Sequence, residues 1–228
     1  MIKYNNSNIN DWNFGTSNII KVYRNNAIVF YKVSGESPTP ILPSGYTQVQ
    51  YVEATGNSYV NLQIDPYSAL TNSYTLETRL SSYTQSSFAY LISSEYANTS
   101  PYYGVGLRWN NGTFQTFGDS YESAHDTTVA QVNNEDGTSS FTFNCDSVTH
   151  TNNNTPFTLF CGYYNNNPWR YGKARFYSLS LTMNGNLERN LIPCKRDNDN
   201  VAGFYDTVYG VFYTTLSGTP LTAGPNVN

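Results

Sequence analysis

The chain has 228 residues, of which 12% are charged and 16% aromatic, with a formal net charge of −4. Few charges and many aromatic and β-branched residues favour sheets and argue against intrinsic disorder. The negative balance leaves no basic footprint for nucleic acid, and no run of about 18 apolar residues offers a membrane-spanning helix or a membrane partner.

In chain order, the first strong signals are Ile19-Ile-Lys-Val-Tyr23 and Ala27-Ile-Val-Phe-Tyr-Lys-Val33. Asn25-Asn26 between them suits a two-residue hairpin turn, because Asn tolerates positive φ. An isolated hairpin is marginal in water, so this head of residues 1–33 is expected to dock on something else. Residues 1–20 lack an apolar stretch after a basic start. Folding in a cytoplasm is expected, with any surface role reached by release inside a particle. Residues 34–43 carry Pro38, Pro40 and Pro43 among small polar residues, the composition of an extended linker.

The body, residues 44–228, reads as a succession of short strands. Tyr46–Val52 alternates, with Tyr46, Gln48, Gln50 and Val52 on one face. Tyr59–Ile64 follows. Tyr74–Leu80 sets Tyr74, Leu76, Thr78 and Leu80 against Glu77 and Arg79. Phe88–Ile92 is a compact apolar strand. Tyr103–Trp109 and Thr113–Phe117 flank Asn111-Gly112, and Val129–Val132 and Ser140–Phe143 flank Asp136-Gly137. Both are hairpin signals. Phe157–Cys161 and Ala174–Met183 lead to Asn184-Gly185 and the closing strands. No segment sustains a helical apolar period, so the expected fold is an all-β, antiparallel sandwich or barrel. Cys145, Cys161 and Cys194 are odd in number and lack a C-x-x-C spacing. Buried free thiols are expected, with one disulfide as the alternative.

Three segments carry a resemblance. Leu42–Val60, Phe176–Lys195 ending in Leu-Ile-Pro-Cys-Lys, and Gly203–Tyr213 with Thr222–Pro225 bracket the body in order. They resemble the signatures of concanavalin A-like (laminin-G-like) domains of gut phage and gut bacterial surface proteins. Gln50 replaces the usual acidic residue and Val211 a common lysine. The head segments Ile9–Gly15 and Asn18–Ala27 resemble an N-terminal module shared by virion proteins of crAss-like gut bacteriophages. The resemblance implies a jelly-roll β-sandwich displayed by a virion-docking head. It implies a fibre or decoration appendage at the virion surface, on head or tail. Trp12, Phe14, Ile19, Val22, Tyr23, Ile28 and Phe30 would dock on other virion proteins. A homo-oligomer, with a trimer foremost, is expected.

For chemistry, a glycoside hydrolase needs two facing carboxylates, and no Glu-x-Asp-x-Glu run exists. Asp119 and Glu122 share one loop, and His125 and His150 sit in polar loops. A Ser/His/Asp arrangement has no supporting nucleophile elbow. Asp197-Asn-Asp-Asn200 offers oxygens but lacks an EF-hand glycine and glutamate. No catalytic residue, metal or cofactor is expected. Sugar binding needs an exposed aromatic platform with amide or charged hydrogen-bonding groups. Trp109 with Asn111, and Trp169 with Arg170, are the candidates, each tryptophan weighed against packing beneath its own loop. The expected role is adhesion to host or gut glycans. A glycan-degrading depolymerase on the same fold and a purely structural capsid or tail brace are the alternatives.

Overall fold

The computed structural model describes residues 3–4, 7–8, 20–24, 27–32, 42–64, 72–82, 89–95, 104–110, 113–117, 126–148, 156–164, 167–216 and 218–227. The chain divides into two compact units, Met1–Ile41 and Leu42–Asn228. In the first, strands β1 (Lys3–Tyr4) and β2 (Ser7–Asn8) pair, as do β3 (Ile20–Arg24) and β4 (Ala27–Lys32). Val22 lies opposite Phe30 and Tyr23 opposite Ile28, with a register irregularity between Val22 and Tyr23. Trp12, Phe14, Ile19 and the Asn25-Asn26 turn lie outside the described residues.

The second unit is an antiparallel β-sandwich, with no helix among the described residues. Its strands are β5 (Tyr46–Gln48), β6 (Val52–Ala54), β7 (Val60–Asn61), β8 (Asn72–Ser82), β9 (Ala89–Glu95), β10 (Gly104–Asn110), β11 (Thr113–Phe117), β12 (Asp126–Asn133) and β13 (Ser139–Val148). There follow β14 (Thr158–Leu159), β15 (Gly162–Tyr164), β16 (Asn167–Trp169), β17 (Ala174–Met183), β18 (Asn186–Arg196), β19 (Ala202–Asp206), β20 (Val211–Tyr213) and β21 (Thr222–Ala223). The larger sheet runs β12-β13-β8-β17-β18-β19-β20, with β5, β6 and β21 attached beside this path. The smaller runs β11-β10-β9-β14-β7, and β15 and β16 form a separate hairpin.

Period-two patterning explains the faces. On β8, Tyr74, Leu76, Thr78 and Leu80 are buried while Glu77 is exposed. On β17, Ala174 and Phe176 face inward, then Leu179, Leu181 and Met183. The phase jumps because Tyr177 is skipped in the pairing with β8, where Phe176 meets Leu80 and Ser178 meets Arg79. Such a bulge adds one residue and re-aims the side chains beyond it. An aromatic layer joins the sheets. Phe160 meets Phe176 edge-on at 5.0 Å, Tyr74 meets Phe157 at 5.6 Å, and Phe114 meets Phe141 at 4.8 Å. Asn184 and Gly185, at φ 49° and 78°, make the β17–β18 turn with two successive left-handed residues, the geometry an Asn-Gly hairpin provides.

The expected single strand Tyr46–Val52 is instead broken. β5 pairs with β18, whereas β6 pairs with β17 and β21. The change of partner puts both Val49 and Val52 in the core and leaves Gln50 exposed. Tyr59–Ile64 is likewise shortened to β7, because Gln63 turns at φ 54° with its N–H donating to the Asn61 side chain. The chain end closes on the start of this unit. β21 lies against β6, and Val227 N–H donates to Gln48 C=O at 3.0 Å.

Candidate functional site

The two tryptophans singled out in the body occupy opposite faces of the smaller sheet. On β9, Leu91 is an extra residue: Ile92 pairs with Leu107, and Tyr90 pairs with Arg108. Ile92 and Leu107 therefore join the core cluster, while Tyr90, also buried at 3% exposed, lies outside that cluster and beneath Trp169. Trp109 follows Arg108 and packs inward, meeting Phe114 edge-on at 4.8 Å at the margin of the core. Asn111 lies outside the described residues.

Trp169 lies on the outer side. β15 and β16 fold over the smaller sheet, placing Gly162 opposite Trp169. A Cβ at Gly162 would stand 2.7 Å from the indole nitrogen and 2.7 Å from a Tyr90 ring carbon. Only glycine lets the indole cross this backbone and reach Tyr90, at a ring separation of 5.8 Å. Arg170 sits at φ 49°, and its guanidinium carbon lies 4.2 Å from the indole centroid. Its carbonyl accepts from Tyr90 N–H at 3.0 Å, which anchors this turn to the sheet. The result is a layered stack of Tyr90, Trp169 and Arg170, with Arg170 exposed. A guanidinium over an indole is a favourable cation–π arrangement.

Cys161 is buried beneath this hairpin. Its carbonyl accepts from Ser93 Oγ at 2.8 Å and Thr158 Oγ1 at 2.9 Å. Burial pushes its thiol up to about 12, so the nucleophilic thiolate is absent at neutral pH. The rings of Tyr59 and Tyr163 lie 6.2 Å apart. Burial, then the proximity of Tyr59 and Cys161, raises the hydroxyl of Tyr163 above its ordinary range. Tyr171 is raised by burial first, then by Cys161 and Tyr59. At neutral pH the surroundings are therefore uncharged phenols beside one exposed guanidinium. The groups that can hydrogen-bond to a sugar are the Arg170 guanidinium and the phenol hydroxyls, since Arg170 itself covers the indole.

The larger sheet carries an aromatic array that the sequence did not suggest. Arg79 lies 5.0 Å from the Tyr177 centroid, Tyr177 5.4 Å from Tyr51, and Arg175 4.6 Å from Tyr51. Asp136 closes one end on Arg79, and Glu53 closes the other by accepting from Arg175 Nε at 2.7 Å. The bulge at Tyr177 and a β8–β17 pairing across roughly a hundred residues bring these groups together, so no local motif could have announced them.

Other expected groups fall as follows. Asp197 Oδ1 accepts from Thr47 Oγ1 at 2.6 Å, and Asp199 accepts from Arg196 through both oxygens. Asp119, Glu122, His125 and His150 lie outside the described residues. Among the described residues no group of three or more His, Cys, Asp or Glu side chains is placed to hold a metal ion. The chain matches no protein-family model, no curated protein and no solved structure.

Proposed function

We propose that the chain is a non-enzymatic structural appendage of a virion, of the gut-bacteriophage kind its segments resemble. Residues 1–33 dock on the particle. The body, a concanavalin A-like jelly roll by its signature segments, binds glycans at the host surface or in the gut. The observation that carries the binding half is the Tyr90–Trp169–Arg170 stack on the outer side of the smaller sheet. It is a fixed aromatic base with a planar, exposed, always-charged donor above it.

Carboxylate chemistry has less support. Glu53 is held by Arg175, Asp136 by Arg79, Asp199 by Arg196 and Asp206 beside Arg189. Glu188 accepts from Tyr209 and Asp197 from Thr47. A hydrolase needs one carboxyl free to protonate and another free to attack or activate water. These carboxylates are already engaged in holding the fold.

The test is a glycan array probed with the full chain. The wild type should bind a defined subset of glycans, and Arg170→Ala should weaken that binding about tenfold or more, as loss of a charged hydrogen-bond donor does. Binding unchanged in both Arg170→Ala and Trp169→Ala would remove this site. Hydrolysis of a bound glycan would replace the binding reading with the enzymatic one.

A further inference from the structure

We propose that β12 is an interface between two copies of this chain, which pair antiparallel along it and join their larger sheets into one. The pairing uses no residue of the Trp169 stack and stands apart from glycan binding.

β12 ends the larger sheet, and among the described residues no strand pairs with its outer side. An open edge is a template for another strand, and sheets normally blunt it by shortness, by Lys or Pro, or by a bulge. β12 carries none of these devices. It is eight residues long, whereas the other sheet ends β11, β7 and β20 have five, two and three. Asp126-Thr-Thr-Val-Ala-Gln-Val-Asn133 contains no Lys, Arg or Pro, and its one charge stands at the first position. Its register with β13 runs from Asp126 opposite Asp146 to Asn133 opposite Ser139 without a bulge. Val132 is 58% exposed there.

The phase of the backbone follows from the turn beyond the strand. Asn134 N–H donates to Thr138 C=O at 2.8 Å. Hydrogen-bonded and non-hydrogen-bonded pairs alternate along an antiparallel ladder. Counting back from Asn134, the positions Val132, Ala130 and Thr128 exchange bonds with β13. Thr127, Val129, Gln131 and Asn133 therefore turn their N–H and C=O groups outward.

This outward set matches itself. A two-fold axis at Ala130 sets Thr127 opposite Asn133 of the second copy and Val129 opposite Gln131 of the second copy. Each pair exchanges both N–H···O=C bonds. Moving the axis by one residue in either direction leaves one end of the outward set without an opposite number. With the axis at Ala130, Asp126 falls opposite Asn134 of the second copy, so no like charges meet. Val132 falls opposite Thr128 of the second copy, which covers its exposed surface, and β-branched residues pair well across strands. The edge is thus complementary to itself in hydrogen bonding and in charge.

Sedimentation and thiol cross-linking of the full chain provide the test. At concentrations up to about 0.5 mM, enough for a weak complex, the wild type should form an even-numbered assembly. Ala130 meets its own copy at a non-hydrogen-bonded position, where Cα atoms stand about 4.5 Å apart, within disulfide reach. On mild oxidation Ala130→Cys should link in pairs, above the background that the native cysteines give in the wild type. Thr128→Cys should not, because its two copies lie about 13 Å apart along the strands. Gln131→Pro removes an outward N–H that β13 does not use, so it should keep its melting temperature and weaken association about tenfold or more. A wild type that stays single or forms an odd-numbered assembly overturns the interface, as does one whose β12 pairs only with a different protein. Equal linking at positions 128 and 130, or association unchanged in Gln131→Pro, overturns it too.

Discussion

Replacing Arg189 by Met should destabilise the body by about 3–5 kcal/mol, the range for breaking a buried ion pair from one side. Arg189 is 7% exposed and Asp206 is fully buried, with Nε 3.6 Å from Oδ2. The guanidinium also reaches across the sandwich. Nε and Nη2 donate to Leu62 C=O at 3.1 and 2.9 Å, just beyond β7 of the smaller sheet. Nη1 donates to Glu188 C=O at 2.6 Å. Asp206 Oδ1 accepts from the backbone N–H groups of Asn190 and Val208 at 3.1 and 3.0 Å. Methionine fills much of the volume but leaves the Leu62 carbonyl and a buried carboxylate without their cation. For a domain of this size the loss corresponds to a fall in melting temperature of roughly 10 °C. Denaturant unfolding of the full chain, followed by tryptophan fluorescence, measures it. Asp206→Asn keeps an acceptor for the two N–H groups, so Arg189→Met/Asp206→Asn should be less damaging than the sum of the single changes. A single change costing under about 1 kcal/mol, or strict additivity, would refute a coupled clamp between the sheets.

Three further outcomes are expected. Thiol labelling at pH 8 followed by peptide mass spectrometry should leave Cys161 and Cys194 unmodified until the protein unfolds, since burial holds both near 12; modification of either in the native state contradicts this. Gly162→Ala should push Trp169 off Tyr90, costing about 1–3 kcal/mol by overpacking and shifting tryptophan emission. An unchanged spectrum and melting temperature would place the indole elsewhere. Arg196 hydrogen bonding lowers the carboxyl of Asp199, so its contribution is present above the ordinary value near 3.8 and is lost as pH falls through the lower native value. Arg196→Met should flatten stability against pH in that acid window, and an identical slope argues against the pair.

The architecture was legible where alternation and turn chemistry are local. Tyr74–Leu80 assigned its own faces, and Asn184-Gly185 declared its hairpin. Legibility failed where long-range pairing decides. Nothing in Tyr46–Val52 shows that the strand changes partners, and the extra residues Leu91 and Tyr177 are set by neighbouring strands. Trp109 and Trp169 look equivalent in sequence, yet the phase of β10 sends one inward and the glycine at 162 lets the other cross the outside. Arg189 carries no local signal of burial, because its carbonyl partners at Leu62 and Gln63 lie more than a hundred residues away, just beyond β7. Tyr46, Tyr205 and Phe212 converge only through the β5–β18–β19–β20 order.

The most direct measurement compares particles carrying the full chain with particles carrying residues 1–41 alone, scored for incorporation and for adhesion to a glycan-coated surface. Both forms should incorporate equally, and only the full chain should confer adhesion, which Trp169→Ala with Arg170→Ala should abolish. Failure of residues 1–41 to incorporate, or adhesion unchanged without the body, would contradict a docking head that displays a glycan-binding sandwich.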